Sequence, residues 1–320
     1  MTAQLPTHFR RVLATGLTLG ALLTATACAG DDLAEDDNAS GGGEASGTVR
    51  IASQSFDEAA LVTAMYEAVL TDEGYDVEKT LVDTRDVYMA KFPADFDVVP
   101  EYVAGLGDFL NIEANGPEAE TVTTNDATES IEAIKPLTDE AGITLLDPSP
   151  AASQNAFFVT EDYASENGVS ALSDLEGESV VLAAAPDCEG RPDCEGGLTS
   201  VYGIEISELL PLGYASPETY QSVIDGESDL GLTGTLDGTL DDQGLVLLED
   251  DRGIQPAQNL IPAVSTEFLD EHPEVAEPLN GLMAALDNET LGELIARVTV
   301  DREKPEDVAS DFLTEEGLIG

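Results

Sequence analysis

From Thr48 onward the chain alternates short apolar runs with segments of helical period, and that alternation restricts it to an α/β architecture built on parallel strands. Val49-Arg50-Ile51-Ala52 reads as a strand that breaks at Ser53-Gln54-Ser55, and residues 56–71 place Leu61, Met65, Ala68 and Val69 at helical spacing. Asp72-Glu73-Gly74-Tyr75 ends that helix. Residues 77–82 form the next strand, 86–91 a short helix, and 96–100 a strand that delivers Glu101 and Tyr102 at its carboxyl end. This is a βαβ opening, and in such sheets ligand sites lie beyond the carboxyl ends of the strands.

A second block begins near Ser153. Asn155–Thr160 and Ser179–Ala184 read as strands, 229–232 as another before the polar turn Thr233-Gly234-Thr235-Leu236-Asp237-Gly238, and Leu245–Leu248 closes the block. A strand at 260–264 then returns, followed by acidic helices through Leu313, and no internal sequence repeat is visible. A length of 320 residues exceeds what one core organises, so the pattern predicts two lobes.

The chain carries 65 acidic residues against 12 basic ones, a formal charge of -53. A phosphate backbone needs a basic surface that releases counterions, so nucleic acid is excluded as a partner. With 42% hydrophobic residues the chain is not an acidic disordered tail. The paired acids Asp31-Asp32, Asp36-Asp37, Asp241-Asp242 and Asp250-Asp251 lack the ligand spacing of a calcium loop, so the acidity predicts a solvated, halophilic surface and no metal site.

Residues 1–28 read as a secretory signal: Arg10 and Arg11 precede an uncharged run of apolar and small residues ending at Thr24-Ala25-Thr26-Ala27-Cys28. Small residues before a single cysteine are the pattern of a bacterial lipoprotein signal, which makes Cys28 the expected lipid anchor. Ordinary cleavage in the same stretch is the alternative. Residues 29–47, acidic and rich in Gly and Ser, predict a flexible tether. No second apolar run approaches 18 residues, so the mature chain is expected outside the cytoplasmic membrane, held to its outer face and not embedded in it.

Beyond Cys28 the cysteines are Cys188 and Cys194, in Cys-Glu-Gly-Arg-Pro-Asp-Cys. In an exported chain a close pair reads as a small disulfide loop. Zinc would need four ligands, and past the signal there is one histidine, His272; a redox motif would bring the cysteines closer. No nucleophile elbow, zinc-protease helix or phosphate loop occurs, which argues against an enzyme and against a cofactor.

Four phrases carry a resemblance: Ile51-Ala-Ser-Gln-Ser-Phe-Asp-Glu-Ala-Ala-Leu, Asp97-Val-Val-Pro-Glu-Tyr-Val-Ala-Gly, Asp147-Pro-Ser-Pro-Ala-Ala-Ser-Gln-Asn-Ala and Leu248-Glu-Asp-Asp-Arg-Gly-Ile-Gln-Pro-Ala-Gln-Asn. Together, in order from about Thr48 to Gly320, the chain resembles the substrate-binding proteins of glycine betaine/choline-type osmoprotectant ABC importers. The resemblance implies a type II periplasmic-binding-protein-like fold, with two lobes joined by two crossover strands and a ligand cleft between them. It places the lobe boundaries at 48–152 plus 257–320 and at 153–256, and it agrees with a disulfide between Cys188 and Cys194. It implies that Gln54, Tyr102, Ser153, Gln154, Asn155, Arg191, Thr233 and Gln258 line the ligand site, with Tyr102 one wall of an aromatic cage and Arg191 directed at a ligand carboxylate. The partners implied are a small solute, a membrane permease and its separate ATPase, with the binding protein itself a monomer.

The sequence departs from that family's cage. Asn155, Gly234 and Gln258 stand where aromatic residues are expected, so either Phe56, Phe109 or Phe157 completes the box or the solute is another small polar molecule. An extracellular enzyme on the same scaffold and a sensor domain are the readings from other classes.

Overall fold

The computed structural model describes residues 47–320. The expected signal, Cys28 anchor and most of the tether lie outside the described residues.

Strand β1 (Thr48–Gln54) runs on through Gln54 before helix α1 (Asp57–Asp72), which follows β1 onto the sheet face. Helix α1 buries Leu61, Val62, Ala64, Met65, Tyr66, Val69 and Leu70, because the sheet lies on one side and the C-terminal helices on the other. Strand β2 (Asp76–Val82) is parallel to β1. The short helix α2 (Arg85–Met89) leads to β3 (Val98–Tyr102), also parallel to β1, so Glu101 and Tyr102 lie within the strand's last two positions. Helices α3 (Val103–Asn115) and α4 (Ala127–Ala141) and strand β4 (Ile143–Leu145) follow.

The second block opens with β5 (Asn155–Thr160) and α5 (Glu161–Asn167), then β6 (Ser179–Ala184), α6 (Glu195–Ser200), β7 (Glu205–Pro211), α7 (Pro217–Ile224), β8 (Leu230–Gly234) and β9 (Leu245–Leu248). The chain returns through β10 (Leu260–Ser265) to helices α8 (Thr266–Glu271), α9 (Ala276–Ala284), α10 (Asn288–Thr299) and α11 (Pro305–Glu315). Strand β8 extends through Thr233 and Gly234, which the sequence assigned to a turn; pairing with β5 holds both residues extended.

The strands form two sheets, ordered β2-β1-β3-β10-β4 and β7-β6-β8-β5-β9. Each has a parallel trio followed by a strand running the other way: β10 is antiparallel to β3 and β4, and β5 to β8 and β9. The same plan thus occurs twice without a sequence repeat. Each sheet has its own core. Val49, Ile51, Leu279, Met283, Val308 and Leu313 pack around α1, whereas Phe157, Leu182, Leu198, Tyr202 and Leu230 pack in the second block. At about 1.5–3 kcal/mol for each large apolar side chain taken from water, these two clusters hold the sheets together. Among the described residues no helix is long and apolar enough to cross a membrane.

Candidate functional site

The carboxyl ends of the parallel strands in both sheets meet at the connections between the blocks, because the antiparallel strand of each sheet enters from that side. Leu260 at the start of β10 lies opposite Tyr102 at the end of β3, and Asn155 at the start of β5 lies opposite Gly234 at the end of β8. The two connecting segments pair there: Ala152 bridges Asn259, Ser153 N donates to the Gln258 carbonyl at 2.9 Å, and Leu260 N donates to the Ala151 carbonyl at 3.2 Å.

Tyr102, Ser153 and Glu58 meet at this junction. Tyr102 Oη donates to Glu58 Oε1 at 2.6 Å and Ser153 Oγ donates to Oε2 at 3.0 Å, so one carboxylate in the first turn of α1 fixes an aromatic ring and a connecting segment together. Burial pushes the Glu58 carboxyl above its ordinary value, against the two hydrogen bonds that pull it down. Burial, with the Glu58 charge next, raises the Tyr102 hydroxyl well above its ordinary value. The phenol is therefore neutral and clamped. Sequence reasoning passed over Glu58, whose signal was an acid in the first turn of a helix directly after the strand ending at Gln54.

The backbone that carries Tyr102 is secured by a buried ion pair. Glu101 is fully buried and accepts from Arg85 Nε and Nη2, each at 3.0 Å, from Tyr88 Oη, and from Tyr102 N at 3.1 Å. Gly105 makes room for the guanidinium, since a Cβ there would stand 2.6 Å from Arg85 Nη2. Gln258 closes the same corner, its Oε1 accepting from Gly105 N at 3.1 Å.

The other expected residues fall into different places. Gln54 is partly buried at the last position of β1, level with Val82 of β2. Gln154 Nε2 donates to the Pro256 carbonyl at 2.7 Å, tying one connecting segment to the other. Asn155 Nδ2 donates to Asp193 Oδ2 at 3.1 Å. Arg191 sits in the loop closed by the Cys188–Cys194 disulfide and is held by Asp193 on Nε and Nη2, at 3.0 and 2.6 Å, and by Asp187 on Nη1 at 3.0 Å. The loop is thus coupled to the start of β5 through Asp193. Thr233 is fully buried, and its Oγ1 donates to Asp237 Oδ2 at 2.6 Å beside Tyr220 Oη. Of the phenylalanines expected to complete a cage, Phe157 is 1% exposed in the second core and Phe109 is partly buried against the core around Tyr88. Phe56, at the mouth of α1, is 44% exposed.

A cavity of about 690 Å³ opens beside this junction, lined by Gln154 and Asn155, by the Thr235–Asp237 turn, and by Asn288, Glu289 and Glu293 of α10. It includes neither Tyr102 nor Glu58, and the aromatic residue in its lining, Phe157, is 1% exposed. Among the described residues no group of three or more His, Cys, Asp or Glu could hold a metal ion.

The chain is 29% identical over 284 residues to a glycine-betaine-binding protein of Pseudomonas aeruginosa, covering 85% of this chain and 89% of that one. It is 28% identical over 287 residues to the glycine betaine-binding protein YehZ of Escherichia coli, covering 86% and 92%. The solved structure of apo YehZ matches with a TM-score of 0.71 at 26% identity, over 85% of this chain and 99% of that one. A structure described as a glycine betaine/carnitine/choline ABC transporter matches with a TM-score of 0.72 at 18% identity, over 84% and 99%, and supports the fold alone. A family model for the substrate binding domain of ABC-type glycine betaine transport systems matches residues 47–315, so this chain, with its two joined sheets and its ring-and-carboxylate junction, belongs to that family of substrate-binding components of ABC importers.

Proposed function

We propose that the protein captures a small quaternary ammonium solute of the glycine betaine and choline class where the two sheets meet, and delivers it to a membrane permease driven by a separate ATPase. The observation that carries this reading is the Tyr102 ring, clamped by Glu58 and Ser153 at the carboxyl end of β3. A ring face attracts a quaternary ammonium by about 0.5–2 kcal/mol, most strongly where water is excluded. In this reading residues 48–152 with 257–320 form one lobe and 153–256 the other, and the paired segments around Ala152 and Asn259 are the hinge. Gln54 and Asn155 supply hydrogen bonds from opposite lobes as these close. Arg191 reaches a ligand carboxylate by exchanging it for Asp193. Gln154 and Gln258 brace the backbone around the site and Thr233 holds the Asp237 side chain, a reading supported by the bonds they make. The protein acts as a monomer without catalytic activity, exported and held by lipid on Cys28 with the following segment as tether, and its acidic surface is suited to high salt.

A second reading, another small polar solute, is favoured by the residues at 155, 234 and 258, none of which is aromatic. Calorimetric titration in molar salt with glycine betaine, choline, carnitine, ectoine and amino acids separates the two. For a trimethylammonium ligand, Tyr102→Ala weakens binding by about 0.5–2 kcal/mol and Tyr102→Phe by much less. For a polar solute, Gln54→Ala and Asn155→Ala dominate, at about 1–3 kcal/mol each, because each leaves a buried partner unpaired. Wild-type affinity in all four variants would show that the site lies elsewhere.

A further inference from the structure

The two paired connecting segments are not the whole joint between the blocks. The turn that follows β8, residues 235–238, belongs to the second block by sequence and is seated in the first. Three contacts hold it there. Thr235 Oγ1 accepts from Gln154 N at 3.0 Å and donates to the Ala152 carbonyl, so the turn grips the first connecting segment on both sides of Ser153. Leu236 is 8% exposed and belongs to the core around α1, with Leu291 and Leu294 of α10, rather than to the buried clusters of its own block. Gly238 lies directly on the backbone of α10. A Cβ added there would stand 2.5 Å from the Gly292 carbonyl oxygen, and its three nearest neighbours all belong to α10. One added at Gly292 would stand 3.3 Å from the Leu236 carbonyl oxygen. Glycine at both positions is what lets the two backbones touch.

These contacts lie away from the clamp. Ser153 and Gln154 are consecutive, yet Ser153 Oγ meets Glu58, whereas Gln154 lines the 690 Å³ cavity together with Gly238 and Gly292. No part of the Tyr102, Glu58 and Ser153 clamp is in that lining. A second close approach between the blocks borders the same cavity: a Cβ at Gly253, after β9, would collide with Asn125 Nδ2 from the connection between α3 and α4. The clamp and the cavity are therefore on different faces of the paired segments. A rotation about those segments that brings the blocks together over the clamp draws them apart at the cavity.

We infer that the docked turn is a latch that resists closure of the blocks: the Leu236 seat and the Gly238–Gly292 contact hold the cavity side together, are loosened when the blocks close over the clamp, and so set solute affinity without touching the solute. The inference rests on the solute-binding reading above and deepens it. A solute that is held by the closed form binds with an apparent affinity reduced by the fraction of molecules that are closed, and every contact that favours the open arrangement lowers that fraction.

The test combines small-angle X-ray scattering of the protein without solute and calorimetric titration with choline and glycine betaine, both in molar salt. Gly238→Ala wedges the turn off α10, and Leu236→Ala removes the side chain that anchors it. Without solute each variant has a smaller radius of gyration than wild type, and each binds the better probe about 5- to 150-fold more tightly, the factor expected when one of two states loses a contact of ordinary coupling strength. Gly292→Ala gives a smaller gain, because the Leu236 carbonyl has to yield by only a few tenths of an ångström. Leu236→Ala also melts below wild type, since it leaves a void in the first core. A loss of stability joined to a gain in affinity is a result that a merely structural role does not give. If Gly238→Ala and Leu236→Ala keep the wild-type radius without solute, or bind a probe of the wild type with unchanged or weaker affinity, there is no latch and only this inference falls. If the radius shrinks in both variants while neither they nor wild type bind any member of the solute panel, the latch stands and the function proposed above falls.

Discussion

Replacing Arg85 by Met removes the charge that compensates Glu101 and keeps most of the apolar stem. The Glu101 side chain has no solvent exposure and Arg85 retains 23%. After the change Glu101 keeps two donors, Tyr88 Oη and Tyr102 N, and loses both nitrogens of the guanidinium fork. A buried carboxylate stripped of its partner costs about 3–5 kcal/mol. In a domain of this size each kcal/mol moves the melting midpoint by about 2–4 °C, so the variant melts roughly 6–20 °C below wild type. The assay is thermal denaturation followed by circular dichroism in molar salt. Arg85→Met/Glu101→Gln recovers more than half of the loss, because a neutral amide oxygen still accepts from Tyr88 and Tyr102 and no charge is stranded. A midpoint shift below about 2 °C for the single variant, or a double variant no better than the single, would refute the argument that charge compensation holds the end of β3.

Glu58→Gln tests the buried carboxyl through pH. Its folded value lies above the ordinary 4.5, so its protonated form favours the fold; that contribution is complete below the ordinary value and lost as pH rises through the raised one. The stability of Glu58→Gln relative to wild type therefore grows from pH 4.5 upward and levels off, and a difference constant over pH 4–8 contradicts this. Reducing Cys188–Cys194 opens a loop of sequence separation 6, worth about 2 kcal/mol by loop entropy, and weakens solute binding through Asp193 and Asn155 more than it lowers the global midpoint. Hydrogen exchange that rises evenly over both sheets on reduction would speak against a local effect. With 65 acids and 12 cations, the melting midpoint climbs between 0.1 M and 1 M salt as the screening length falls from about 10 Å to about 3 Å; a flat response rejects the high-salt reading. Gly231→Ala destabilises the second sheet, because its Cβ would strike the Phe158 ring, and a melt at the wild-type midpoint would show that the ring gives way.

The sequence by itself determined the elements whose residues are buried on a regular period. Asn155–Thr160, Ser179–Ala184 and Leu245–Leu248 were legible to the residue, since runs of Val, Leu, Phe and Ala bounded by polar turns have few other places to go. The helix of residues 56–71 and the placing of Glu101-Tyr102 at a strand's carboxyl end were legible for the same reason. Strand β7 was not, because it is an edge strand whose exposed Glu205 and Glu208 break the apolar alternation. Only the tertiary structure decided that the sheet plan occurs twice, since topology depends on which strands pair and not on which residues repeat. It also decided the site. Glu58 and Arg85 are separated from Tyr102 by 44 and 17 positions and look like surface residues when read in sequence. They become a clamp and a counter-charge because the antiparallel strands β5 and β10 bring the ends of two sheets to one junction. There burial alters what a carboxylate or a phenol costs to keep, and no local pattern records that burial.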